Sequence, residues 1–355
     1  MTGVQTNEGG VTDVQTKQNA EPVPKQGVDL PRRRGWRPHP VIVVLAGALI
    51  VVGLTYVLPP FRNYQLATVG AYLCVTAGLT VLTGLNGQLS LGHGALMATG
   101  AYTLALTQNK FENLPLSFAA AIAVTTVAGA IIGLAAARLR GPYLAGLTLA
   151  VAIVVPSVAS TFDETFNSDQ GLSVMLNPPP EQFPMEQWQA WLCWSAALIV
   201  VLLLALLSRG RFGRDMRAVR DDETAAKLAG VNIARTQVLA FVASAACAGV
   251  AGALFAVLAQ SVSPGAFPLT LSLFLLMAIV IGGLGSLFGA LWGALLLVVL
   301  PALSQSVSEQ AGSQRLEGNL ALIVFGVVLV VVMLAAPGGL ASIPSRISRM
   351  LRRNR

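Results

Sequence analysis

The chain has 355 residues, of which 54% are hydrophobic and 11% are charged, and its formal net charge is +7. Its mean hydropathy of +0.68 lies well above the range of soluble globular domains. The composition therefore excludes a soluble enzyme or binding module, and it predicts an all-α, polytopic protein that spans a membrane.

Charge-free segments predict about ten transmembrane helices. A charged residue at the centre of a spanning helix costs roughly 2.5–3.5 kcal/mol, so gaps between charged residues should mark the spans. About 20 apolar residues cross a bilayer, and the gap lengths therefore give the number of spans. The gaps hold one, two, one, one, one, three and one spans, in the order 38–61, 63–109, 113–137, 141–162, 187–208, 236–308 and 318–345.

The distribution of basic residues predicts the orientation. Lys and Arg accumulate in cytoplasmic loops. If the N-terminus is cytoplasmic, only Arg62, Lys110 and Arg315 of the 23 Lys and Arg residues lie in outer loops. Ten crossings then place the C-terminus in the cytoplasm as well.

This orientation divides the chain into three parts. Residues 1–37 are polar, mix both charges and lack an apolar period, so we expect a disordered cytoplasmic tail. Residues 38–345 form the membrane domain, with an outer loop at 162–187 and a cytoplasmic loop at 209–235. Residues 346–355 form a basic cytoplasmic tail.

The chain lacks an energy source of its own. None of its lysines follows a glycine-rich phosphate loop, so it is not expected to hydrolyse ATP alone. The predicted spans also lack the acidic and basic residues that commonly relay protons or ions. These features favour a permease driven by a partner protein, or a passive pore. We expect no cofactor, no metal site and no nucleic-acid partner, and we interpret Cys74, Cys193 and Cys247 as buried core residues.

The segment GLNGQLSLGHGALMATGAY (84–102) combines glycine with Asn86, Gln88, Ser90 and His93 inside an apolar gap. Irregular backbone at membrane depth is tolerated only where it is buried in protein or lines a cavity. Broken helices of this kind often frame transport sites. The four polar residues are therefore a candidate translocation path. The alternative is a cytoplasmic turn followed by a glycine-rich packing face.

Two further patterns leave alternatives open. Ser90 and His93 have the spacing of one helical face, which would also suit an intramembrane hydrolase. No further motif supports a nucleophile or an oxyanion site, so we predict no catalytic residue and no enzyme. The segment IVIGGLGSLFG (279–289) is either a tight turn between two spans or a re-entrant segment.

The cytoplasmic loop predicts a short docking helix. Asp221 can cap its N-terminus and Gly230 can end it. A helix this short is marginal alone, so we expect it to pack against another protein. Arginines recur upstream at Arg214, Arg217 and Arg220, and lipid headgroups would also account for them.

From about residue 41 to 340 the chain resembles the LivM-type permeases of branched-chain amino acid ABC importers. The resemblance rests on segments that occur in family order: GLNGQLSLGHGALMATGAY, RLRGPYLAGLTLA, FNSDQGL, GRFGRDMRAVRDDETAAKLAGVNIARTQVLAFVASAACAGVAGALFA, VSPGAFPLTLSLFLLMAIVIGGLGSLFGALWGALLLVVLP and LAAPGGL. It implies an inner-membrane half-permease that pairs with a second, homologous permease subunit. It also implies two cytoplasmic ATPases and an extracytoplasmic substrate-binding protein as partners.

The resemblance further implies that ETAAKLAG contains the motif that couples such permeases to the ATPase. Ala225, Ala226 and Gly230 match it. The acid of the motif would fall on Thr224, whereas Glu223 stands one position early. The ATPase-coupling residues implied by the motif and its basic surroundings are Arg214, Arg217, Arg220, Glu223, Thr224, Ala225, Ala226 and Gly230.

The substrate is less constrained than the family. A charge-free path suits a zwitterionic branched-chain amino acid, but urea and aromatic-acid importers resemble the same pattern. A passive channel or an ion-coupled carrier is the alternative from a different class.

Overall fold

The computed structural model describes residues 40–139, 141–167, 170–176, 183–311, 317–336 and 338–342. The predicted tails at 1–37 and 346–355 lie outside the described residues, as do residues 168–169 and 177–182 of the predicted outer loop.

Helices make up most of the described chain, and each predicted charge-free gap contains at least one. They are α1 (Pro40–Val57), α2 (Pro60–Leu79), α3 (His93–Phe111), α4 (Leu114–Ala136), α5 (Pro142–Thr161), α6 (Asp163–Phe166), α7 (Met185–Arg209), α8 (Arg211–Asp221), α9 (Glu223–Leu228), α10 (Ile233–Ala259), α11 (Leu269–Gly282), α12 (Leu287–Ala311) and α13 (Glu317–Ala335). Strands β1 (Leu172–Ser173) and β2 (Ser261–Val262) pair antiparallel, with Leu172 opposite Val262.

Six helical segments of the described chain are long and apolar enough to cross a bilayer. They are Pro60–Leu85, Leu114–Ala136, Pro142–Thr161, Met185–Arg209, Ile233–Ala259 and Pro264–Gly282, and shorter apolar helices cover Val44–Val57 and Leu287–Leu303. This confirms an all-α polytopic membrane protein. The number of ten crossings and the cytoplasmic location of both termini stay predictions.

Helix α10 occupies the centre of the bundle, where it packs against α2, α3 and α4. Its buried positions are mostly Ala, Gly and Ser, which lets the neighbouring backbones approach closely. A side chain at Gly252 would collide with the carbonyl of Met97, and one at Gly100 would lie 2.7 Å from the carbonyl oxygen of Gly249. His93 at the start of α3 contacts Ser244, and the C-terminal halves of both helices contact the β1–β2 pair, so α3 runs parallel to α10.

Two helices begin inside the bundle instead of at its ends. Helix α3 starts at His93, whose side chain contacts Ser244 near the middle of α10. Helix α11 starts next to it, since the Gly94 amide donates to Ser272 Oγ at 3.0 Å. From this meeting point α3 runs towards β1, and α11 runs the opposite way towards Gly285. The bundle therefore contains two antiparallel helices whose N-termini meet at a buried point.

The second glycine-rich segment forms a tight turn between α11 and α12. Gly283 and Gly285 adopt φ of 117° and 79°, angles that residues with a Cβ atom rarely adopt. The turn packs closely against Gly84 and Gly339. Of the two interpretations of residues 279–289, the structure has the turn.

Candidate translocation path and coupling surface

The break between α2 and α3 begins where α2 widens into a π-helical turn at Thr80–Leu85. Gly87 then takes φ of +78°, which requires glycine, and the chain continues without helical structure to Gly92. Thr83 Oγ1 donates to the carbonyl of Gln88 at 3.0 Å and fixes the start of this segment. The predicted irregular backbone is therefore present, and it is bonded internally.

His93 ties the start of α3 to α10. Its Nδ1 lies 2.9 Å from Ser90 Oγ and its Nε2 lies 2.7 Å from Ser244 Oγ. All three side chains are buried, and His93 is 1% exposed. Both ring nitrogens thus have hydroxyl partners, which holds the ring in one orientation.

Hydroxyl groups from two further helices bind the amides that the break leaves free. Thr148 Oγ1 on α5 accepts from the Leu91 amide at 3.0 Å, and Ser272 Oγ on α11 accepts from the Gly94 amide at 3.0 Å. The sequence analysis did not select Thr148, Ser244 or Ser272. The only signal available was a hydroxyl residue within an apolar helix, which many structural positions share.

The other two candidate path residues, Asn86 and Gln88, lie at a cavity of about 260 Å³. They are only 3% and 6% exposed, and within the described residues their side-chain amide groups have no hydrogen-bond partner. The cavity is also lined by residues of the cytoplasmic loop, including Val219 and Glu223, and by Gln237. The predicted path therefore divides into a deeper pair, Ser90 and His93, and an outer pair beside the coupling loop.

The predicted cytoplasmic loop, residues 209–235, contains α8 and α9. Helix α8 buries Gly213, Met216 and Val219, which anchor it on α7 and α10. Asp222 caps α9, because its Oδ1 accepts from the amides of Thr224 and Ala225. The predicted cap, Asp221, is wrong by one residue: it ends α8 instead.

Gly230 ends α9 as predicted. It adopts φ of +85°, and its amide donates to the carbonyl of Lys227 while the Val231 amide donates to that of Ala226. These two bonds form a Schellman motif, which satisfies the last carbonyls of the helix.

The residues of the coupling motif face in different directions. Thr224, Ala225 and Gly230 are exposed, whereas Ala226 is buried within the subunit. The Glu223 carboxylate accepts from Gln237 Nε2 at 3.3 Å. Leu228 is 85% exposed.

The three arginines predicted to take part in coupling differ in their hydrogen bonds and exposure. Arg214 is exposed. Arg217 Nη2 donates to the carbonyl of Ser208 at 3.1 Å. Arg220 Nη1 donates to the carbonyl of Gly84 at 2.6 Å, so it reaches the end of α2. This hydrogen bond joins the predicted coupling loop to the candidate path, two regions that no local sequence pattern connects.

Comparison with known proteins identifies the family. Residues 63–333 match the family described as the permease component of branched-chain amino acid transport systems. The chain belongs to this permease family. It is 32% identical over 327 residues to the high-affinity branched-chain amino acid permease protein LivM of Salmonella typhimurium, covering 82% of this chain and 73% of that protein. It is 33% identical over 298 residues to LivM of Escherichia coli, covering 76% and 67%.

The chain is also similar to a protein named for another cargo. The galactofuranose transporter permease YtfT of Escherichia coli is 32% identical over 231 residues, covering 62% of this chain and 63% of that protein. No solved structure matches the chain. As a member of the permease family, the protein is a multi-pass inner-membrane component of a transport system.

Proposed function

We propose that this chain is one permease subunit of an ATP-driven importer for branched-chain amino acids, and that it works by alternating access. The observation that carries the proposal is the α8–α9 arm. One side of this arm is anchored in the membrane domain, and its other side presents Ala225, Leu228 and Gly230 to solvent. Membership of the permease family supports the transport role.

The proposed topology has ten crossings with both termini in the cytoplasm. Its support is the presence of a helix in every charge-free gap, together with the bias of basic residues. Under this topology α8 and α9 face the cytoplasm, while β1 and the 162–187 loop face outwards. The outer loop is then the landing site of an extracytoplasmic substrate-binding protein.

The coupling step follows from the exposed side of α9. We assign one cytoplasmic ATPase to this chain and a second to a homologous partner permease. Leu228 would enter an apolar groove of the ATPase, because burial of a fully exposed leucine contributes roughly 1.5–3 kcal/mol. Arg214 and Thr224 are exposed as well.

The substrate step is assigned to the buried point where α3 and α11 meet. Helix N-termini carry a partial positive charge and attract anions. During alternating access, the carboxylate of the amino acid would replace Thr148 or Ser272 as the partner of the Leu91 and Gly94 amides. The apolar helices around this point suit an aliphatic side chain.

Reconstitution tests the proposal. The complete complex, with partner permease, two ATPases and binding protein, is placed in liposomes, and uptake of labelled leucine is measured with and without internal ATP. We expect uptake only with ATP and binding protein, with competition by isoleucine and valine. Urea, aromatic acids and galactofuranose serve as further competitors.

Two results would reject the proposal. Leucine uptake that proceeds equally without ATP would indicate a passive channel. Stimulation of ATP hydrolysis by urea or an aromatic acid, but not by leucine, would keep the importer and reject its substrate.

A further inference from the structure

Arg220 has a geometry that differs from that of a docking residue. Its Nε and Nη2 donate to Asp221 Oδ1 at 3.0 and 2.8 Å, and its Nη1 donates to the carbonyl of Gly84. The guanidinium therefore makes both contacts at once and turns towards the membrane domain. A planar fork of donors permits this arrangement, which a single ammonium group cannot reproduce.

The irregular segment between α2 and α3 packs against the Arg220 side chain. A Cβ atom at Gly87 would lie 2.8 Å from Arg220 Cγ, so the glycine backbone rests directly on the arginine stem. Arg220 thus contacts residues on either side of Asn86, which follows the π-helical turn and is the first residue of the candidate path. It lies two residues before Asp222, which caps α9.

Gly84 connects this contact to the rest of the bundle. Its backbone touches Gly285 in the α11–α12 turn, with no room for a side chain between them. In that turn, Gly283 packs against Gly338 and Gly339, which follow α13. Because packed interiors transmit strain, a displacement of Gly84 must also displace Gly285 in the α11–α12 turn.

We propose that Arg220 is the residue that transmits movement of the coupling helix α9 to the break between α2 and α3. This inference rests on the proposed ATP-driven function and assigns Arg220 a positioning role inside the subunit. Movement of α9 by the ATPase would pull on Gly84 through the Arg220 guanidinium. The displaced end of α2 then shifts the segment that leads to Ser90 and His93.

The reconstituted complex tests this role through the number of leucine molecules taken up per ATP hydrolysed. For R220A we expect assembled complexes that still hydrolyse ATP, with this ratio lowered at least about tenfold, the effect of one lost charge-assisted hydrogen bond. R220K should recover part of the ratio. R211A is the matched control, because Arg211 is an exposed arginine on the same helix, and it should keep the wild-type ratio.

A second variant approaches the contact from the opposite side. G87A keeps the arginine but pushes against its stem, and we expect it to lower the same ratio. A wild-type ratio in R220A would overturn the proposal. Failure of both R220A and G87A to assemble with the ATPases would also overturn it, because the contact would then serve folding. Wild-type uptake tests the proposed function separately, and only the variant-to-wild-type ratio tests Arg220.

Discussion

His93 and Ser244 are 151 residues apart in the chain, yet His93 Nε2 and Ser244 Oγ lie 2.7 Å apart at the buried start of α3. Because Ser90 binds the other ring nitrogen, the imidazole links the irregular segment to the central helix α10. The first amides of a helix have no partner in the helix itself, and at the start of α3 the Gly94 amide donates to Ser272 Oγ.

The His93–Ser244 contact is expected to contribute to stability. S244A should lower the unfolding free energy by about 1–3 kcal/mol, the cost of leaving a buried polar group unpaired. H93A should cost at least as much. Thermal unfolding of the purified complex measures both. The double variant should cost less than the sum, because both changes remove one interaction. Strict additivity would contradict a direct contact.

Thr148 is expected to support the break through its hydroxyl alone. T148V keeps the shape but removes the acceptor of the Leu91 amide, so we predict a loss of about 1–3 kcal/mol and reduced uptake. T126V is the matched control, because within the described residues the Thr126 hydroxyl donates to the carbonyl of Ile122 in its own helix. Equal thermal stability of T148V and T126V would contradict the assignment.

Gly230 is expected to be needed for its backbone conformation. Its φ of +85° costs a residue with a side chain about 1–2 kcal/mol. G230A should therefore destabilise the end of α9, which hydrogen exchange of the Val231 amide would detect. A Cβ at Gly230 or at Gly265 meets no atom within 4 Å, but Gly265 has no left-handed φ, so G265A is the control. Unchanged exchange in G230A would contradict this explanation.

Leu228 is expected to bind the ATPase. L228S should leave the thermal stability of the subunit unchanged, because the side chain is 85% exposed. It should reduce the amount of ATPase that copurifies with the permease by about tenfold or more. L116S replaces another exposed leucine at the opposite end of the bundle, and it should retain the ATPase. Normal copurification with L228S would remove Leu228 from the docking surface.

Local features of the coupling loop were predictable in part. Gly230 is predictable as the end of α9 because glycine adopts left-handed backbone without the steric cost that a side chain brings. The N-cap was placed on Asp221, whereas Asp222 performs that role. Two adjacent aspartates have the same capping ability, and only the path of α8 decides which one reaches the amides of the next helix.

The sequence by itself determined the all-α membrane architecture and predicted irregular backbone within 84–102, where residues 87–92 lack helical structure. Charged residues are costly in hydrocarbon, and irregular backbone at membrane depth must be buried in protein or line a cavity. Both features can therefore be recognised from short stretches of the sequence. The tertiary structure alone decided that Thr148, Ser244 and Ser272 serve the start of α3 and α11, and that Arg220 reaches Gly84. These contacts join residues far apart in the chain, and their partners depend on how the helices pack. The residues next to a hydroxyl side chain or an arginine do not indicate which distant backbone group it will bind.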